Sequence, residues 1–224
     1  MKSKLHSKHD YFNEDHGRRQ RTSIPELIYC ENKSVEQIIL IAKKLYAKQK
    51  LVLGTRCPVE FFPKLKKVFP GIHIIQGSHC FRIGKPLKAI SIAKVGIVSA
   101  GTTDIAVCEE AALMLESLGV YVERVYDVGV AGIHRLFAKD DRLKRCSVLI
   151  VAAGMEGALP SVVAGLYPQP LIAIPTSVGY GTALFGFTAM FAMLTSCAPG
   201  VTVVNIDNGV GAAAAAFKIV SFNR

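Results

Sequence analysis

From Ala93 onward the chain repeats one pattern five times: a short apolar run, a loop rich in glycine and small hydroxyls, then a helix-patterned segment. The runs are AKVGIVSAG, YVERVYD, CSVLIVAAG, PLIAIPTS and VTVVNIDNG. The segments after them are TTDIAVCEEAALMLESLG, which ends at Gly119, a stretch around IHRLF, GALPSVVAGL, TALFGFTAMFAMLTSC and AAAAAFKIV. Such alternation predicts a parallel, doubly wound α/β sheet. Near-continuous apolar strands fit a sheet covered by helices on both faces. Ligands of such sheets bind at the carboxyl ends of the strands. Chemistry is therefore expected in the loops 99–104, 126–132, 152–160, 175–181 and 205–211. Gly101, Thr102, Thr103, Asp104, Asp127, Gly154, Met155 and Ser177 lie in them as candidate substrate-binding residues. No loop carries a P-loop or a G-x-G-x-x-G fingerprint.

The sequence before this domain divides in two. Residues 1–22 read as a mobile basic arm, and residues 23–88 as a small α/β module ahead of a catalytic domain over 89–224. In the module, SVEQIILIAKKLYAKQ predicts a helix with a capping box between Ser34 and Gln37. LVLG and GIHIIQGSH predict strands, and PVEFFPKLKKVF a helix broken by Pro63.

Charge is uneven. Residues 1–100 hold nineteen Lys and Arg against seven acids, and the remainder eight against ten. A basic surface attracts anions, although a solvated lysine face accounts for it equally well. No zinc finger, aromatic RNA-binding signature or basic zipper is present, so nucleic acid is not an expected partner. No residue from Gly157 to Ile206 is charged. Pro160, Pro168, Pro170, Pro175 and Pro199 break that run, which argues against a membrane span and for a helix buried on all sides at a subunit interface. The start, MKSKLHSKHDYF, has no apolar signal segment. The six cysteines form no CxxC pair, and the histidines are scattered. Free thiols in the cytoplasm and no metal-ligand spacing are the expectation.

Cys197, in LTSCAPG, is on residue type alone either a packed small hydrophobe or a nucleophile. Glu156, the one titratable side chain of AAGMEGALP, is either a helix cap or an acid–base group. Asp104 and Asp127 read as caps or turn residues, and Asp207 with Asn208 as turn chemistry.

Taken together, RRQRTSIPELIYCENKS, GTTDIAVCEEAA, RVYDVGVAGIHRL, VAAGMEGALPSVVAGL, IAIPTSVGYG and LTSCAPGVTVVNIDNG resemble one family. It is the LarB-type pyridinium-3,5-biscarboxylic acid mononucleotide synthases, which begin synthesis of the nickel-pincer cofactor of lactate racemase. The resemblance runs from about Asp15 to about Ala215. The C-terminal half is also similar to the aminoimidazole ribonucleotide carboxylases and mutases, in Gly101–Asp104 and Ala153–Pro160. Where those enzymes carry a histidine, this chain has Ala158, which cannot move a proton.

The resemblance implies carboxylation of nicotinic acid adenine dinucleotide at C5 of its pyridinium ring, with CO2 or bicarbonate as co-substrate. It also implies phosphoanhydride hydrolysis that releases AMP. Cys197 takes the nucleophile position, Glu156 is the best-placed base, and Asp104 matches a ribose or phosphate contact. An electron-poor ring must gain electrons before it attacks CO2, and a thiolate that adds and later leaves suits this better than an alkoxide. A helix C-terminus at Cys197 would oppose a thiolate, leaving the substrate's cationic ring to favour it. Arg18 and Arg21, with Arg56, are expected either to hold the diphosphate or to belong to a solvated arm. No tightly bound cofactor is expected, Mg2+ at one of the acids would assist anhydride cleavage, and the related carboxylases imply a homo-oligomer, up to an octamer. The alternatives are the purine carboxylase or mutase reaction, and a non-catalytic nucleotide-binding domain. Ser23 and Asn32 depart from the family's usual glycines, and Ala106 from its proline.

Overall fold

The computed structural model describes Asp15 and residues 17–89 and 92–222. Most of the expected arm, residues 1–14 and His16, lies outside them. Arg18–Thr22 forms a helical turn, α1, with Arg21 paired to Asp15 at 2.6 Å. The chain divides into two compact units, Met1–His73 with Phe81–Lys85 and Ile74–Cys80 with Pro86–Arg224.

The N-terminal elements are β1 (Leu27–Tyr29), α2 (Val35–Gln49), β2 (Leu51–Thr55), α3 (Phe62–Val68), β3 (His73–Ile75) and β4 (Cys80–Gly84). The strands form a sheet in the order β1-β2-β4-β3, with β1 parallel and β4 antiparallel to β2. Helix α2 opens on the expected capping box and buries Ile38, Ile41, Ala42 and Leu45, one stripe at helical spacing. Pro63 does not break a helix. It sits in the first turn of α3, where its missing N–H costs nothing. β1 and β4 are additions to the sequence reading.

The second unit is built from β5 (Lys94–Ser99), α4 (Ile105–Ser117), β6 (Tyr121–Val125), α5 (His134–Phe137), α6 (Asp140–Lys144), β7 (Val148–Ala153), α7 (Leu159–Leu166), β8 (Leu171–Pro175), α8 (Phe187–Leu194), β9 (Val201–Val203) and α9 (Gly209–Phe222). The five strands form an all-parallel sheet in the order β6-β5-β7-β8-β9. Alternate strand residues, among them Val98, Leu149, Val151, Leu171 and Ala173, share a core with Leu136, Leu143, Leu159, Val163 and Met193 of α5–α8. Helices α4 and α9 pack together and against the strands. This is the expected doubly wound architecture. The strand order reverses direction between β5 and β7, which makes the loops after those two strands the walls of the sheet's topological switch point.

One helix is shorter than its sequence suggests. TALFGFTAMFAMLTSC was expected to be helical throughout, yet α8 begins only at Phe187. Leu184 and Phe185 hold left-handed angles, φ 46° and 53°, and Gly186 follows at φ 95°. A Cβ on Gly186 would stand 2.7 Å from the Thr176 carbonyl oxygen, so only glycine lets the chain pass there. α8 ends at Leu194, which leaves Cys197 beyond its last turn. Nor is α8 buried on all sides within the chain. Ala189 and Met193 are buried, whereas Phe187, Phe191 and Leu194 are exposed. Among the described residues, no helix is long and apolar enough to cross a membrane.

Candidate active site

Three loops meet at the carboxyl ends of β5, β7 and β8. Asp104 closes the turn after β5. Its Oδ2 accepts the Gly101 backbone N–H at 2.8 Å, and its Oδ1 accepts the Thr176 hydroxyl at 2.6 Å. Both partners of the second bond are buried, Asp104 at 3% exposure and Thr176 at 0%. Burial holds the Asp104 carboxyl above its ordinary value of 3.8, and the negative charge of Asp207 adds to that, while the bonds from Thr176 and Gly101 work against it. Thr102 and Thr103 of the same turn are exposed. The turn therefore offers two hydroxyls and its backbone outward and keeps its carboxylate inward.

The loop after β7 is fixed by close approach. A Cβ on Gly154 would lie 2.4 Å from the Val178 carbonyl oxygen and 2.7 Å from Thr176 Oγ1. The next residue, Met155, has φ 51°, and its N–H donates to that Val178 carbonyl at 2.8 Å. The N–H of exposed Ser177 donates to Asp207 Oδ1 at 2.9 Å, which ties the loops after β8 and β9. Asp207 itself is left-handed at φ 54°, and the Asn208 side chain caps α9 through the Gly211 N–H. Their turn chemistry is as read from sequence.

Glu156 is exposed and does not cap α7, whose first turn makes no side-chain cap bond. Cys197 is exposed, and the other five cysteines are buried. Burial pushes the Cys108 thiol well above its ordinary range, so it is chemically quiet. Two contacts tie the Glu156 loop to the Cys197 segment. A Cβ on Gly157 would lie 2.7 Å from the Ala189 carbonyl oxygen of α8, and Ser161 of α7 bonds Ser196 between hydroxyls at 2.8 Å. The Ala198 N–H also donates to Ser196 Oγ, so Cys197 lies inside a small closed turn.

Asp127 takes a left-handed position, φ 58°, with its N–H on Ser99 Oγ, and its carboxylate pairs with Arg135 at 2.5 Å. Arg135 is a residue the sequence reading passed over. From each strand end to the first turn of the next helix, the five connections carry four carboxylates, His134 and a single permanent cation, Arg135. Arg18 and Arg21 lie on α1 of the N-terminal unit, exposed. Asp104 is engaged by Gly101 and Thr176, Asp127 by Arg135 and Asp207 by Ser177, and among the described residues no three acidic, His or Cys groups converge on a point.

The comparisons with known proteins divide the chain as the fold does. Residues 94–224 match the AIR carboxylase family model, and residues 6–85 match the LarB/PurE-like N-terminal domain. An uncharacterised protein of Methanocaldococcus jannaschii is 42% identical over 88% of this chain and 79% of its own length. The N5-carboxyaminoimidazole ribonucleotide mutases of Pyrococcus horikoshii and Thermotoga maritima are 31% and 28% identical. They cover 56% and 57% of this chain, and 71% and 74% of their own lengths are matched. The chain thus belongs to the AIR carboxylase family, in the LarB type that adds its own N-terminal domain, and its function is of the carboxylase/mutase kind.

Proposed function

We propose that this protein carboxylates the pyridinium ring of nicotinic acid adenine dinucleotide at C5 and hydrolyses the phosphoanhydride, giving AMP and pyridinium-3,5-biscarboxylic acid mononucleotide. The observation that carries the reading is that Glu156 and Cys197 are both exposed and lie on segments joined through Gly157–Ala189 and Ser161–Ser196. Ala158 supports it, since it stands where the purine enzymes carry their histidine. In the proposed sequence the Cys197 thiolate adds at C4, forming a C–S bond and pushing an electron pair onto the ring nitrogen. C5 is then an enamine carbon and forms a C–C bond to CO2. Glu156 takes the C5 proton, and the thiolate leaves with the C–S pair, restoring the aromatic cation. The steps are redox-neutral.

The cationic ring also stabilises the thiolate beside it by charge. Cys197 lies three residues beyond the end of α8 and is not itself a residue of its last turn. Arg135 supplies the positive charge these loops need for a phosphate, with Asp127 as its counter-ion until the substrate arrives. The cytoplasm is the proposed location. A second copy of the chain is the proposed cover for the apolar side chains of residues 184–194. The test of the reaction is incubation with nicotinic acid adenine dinucleotide and bicarbonate. Release of AMP together with a mononucleotide carrying one added carboxylate supports it, and an unconsumed substrate refutes it.

A further inference from the structure

The buried bond between Thr176 and Asp104 joins residues seventy-two apart in sequence. A carboxylate buried to this extent is costly unless its lone pairs are used. Asp104 uses one oxygen on Thr176 and the other on the Gly101 N–H. The Gly154 backbone is a further hydrogen-bond partner, and at 3% exposure the carboxylate presents almost nothing to solvent. What faces outward is the turn itself, Thr102 and Thr103. Thr176 is well anchored for such a task. Its N–H donates to the Ala153 carbonyl, and its own carbonyl is the atom that Gly186 passes so closely. It therefore sits where the connections after β5, β7 and β8 meet.

We propose that Thr176 is a positioning residue for the nucleotide. By holding Oδ1 of Asp104 it keeps Oδ2 on the Gly101 N–H, and so fixes the Gly101–Thr103 turn in its ligand-receiving form. Asp104 then acts through the turn and not by touching substrate. The role as a nucleotide turn rests on the reaction proposed above, but the mechanical claim does not.

Thr176→Val and Thr176→Ser separate the two. Amide hydrogen exchange in the ligand-free protein reads the turn directly. In Thr176→Val, the Gly101 amide should exchange about tenfold faster, the size expected when a hydrogen bond to a buried charge is lost. Amides of β5 and β7 should keep their rates. With substrate, KM should rise by roughly tenfold while kcat stays within about threefold, because the loss falls on binding. Thr176→Ser, which keeps the hydroxyl, should restore both. An unchanged Gly101 rate overturns the proposal. So does a rise shared equally by β5, β7 and β8, which is the mark of a merely structural role, or a serine variant as impaired as the valine one. Should Thr176→Val not fold, Thr176→Ala reads the same turn: it removes the hydroxyl without adding bulk, so Gly101 exchange rises, and an unchanged rate there overturns the proposal. If the wild type leaves nicotinic acid adenine dinucleotide intact, the reaction falls and the exchange data still decide the role of Thr176.

Discussion

Gly154→Ala puts the geometry of the site to a quantitative test. The added methyl has no space, since it would stand 2.4 Å from the Val178 carbonyl oxygen and 2.7 Å from Thr176 Oγ1. Neither atom is the end of a flexible chain. One is backbone, and the other is held on Asp104. Relief requires the loops after β7 and β8 to part by several tenths of an ångström or more, which strains the Met155 N–H bond to Val178. Overpacking of this kind costs about 1–3 kcal/mol. Gly165→Ala is the internal control. It lies in α7, exposed, with nothing within 4 Å of the new Cβ. Alanine in a helix is better than glycine by roughly 0.8–1.0 kcal/mol, so that variant should be stabilised. Urea unfolding at constant m value separates the pair, with midpoints moving in opposite directions. A Gly154→Ala protein as stable as wild type would refute the close approach of the two loops.

Other consequences follow from the same contacts. Asp104 is raised by burial, so the folded state binds its proton more tightly than the unfolded state does. The stability this group adds is in full present below 3.8 and is lost as pH rises through the raised value. The wild type should therefore gain stability relative to Asp104→Asn on acidification from pH 7 towards 3.8, and a flat difference across that window contradicts the assignment. Native protein should show one fast-reacting thiol per chain with Ellman's reagent and six after denaturation, and Cys197→Ala should abolish the fast one. Light scattering should return a multiple of 24.2 kDa, because Leu184, Phe185, Phe187, Phe191 and Leu194 form a run of exposed apolar side chains that a second copy would cover. A monomer at micromolar concentration contradicts that.

Much of this fold is written in local sequence. The five parallel strands are legible because each is a continuous apolar run closed by a glycine-bearing loop. The resemblance marks Ser23 and Asn32 as standing where glycine is usual, and both prove to be left-handed, at φ 63° and 60°. The backbone demand outlived the residue, and asparagine meets it more cheaply than serine does. Two strands were illegible for a physical reason. LIY is only three residues long, and CFRIG interrupts its apolar side chains with an arginine that is partly exposed. The kink before α8 was hidden because Leu184 and Phe185 are ordinary helix-compatible residues, and the close approach of Gly186 to Thr176 that follows them joins distant segments. The loops carrying the candidate residues could be placed from topology alone. Their pairings could not, since Asp104–Thr176, Ser177–Asp207 and Ser161–Ser196 join distant segments that no periodicity connects.

The central claim is that Cys197 carries a carboxylation of the pyridinium ring. Its most direct test is mass spectrometry of wild type and Cys197→Ala, each incubated with nicotinic acid adenine dinucleotide and 13C-bicarbonate. The account predicts AMP and a 13C-labelled dicarboxylated mononucleotide from wild type, and no labelled product from Cys197→Ala. Equal labelling by both proteins would contradict it.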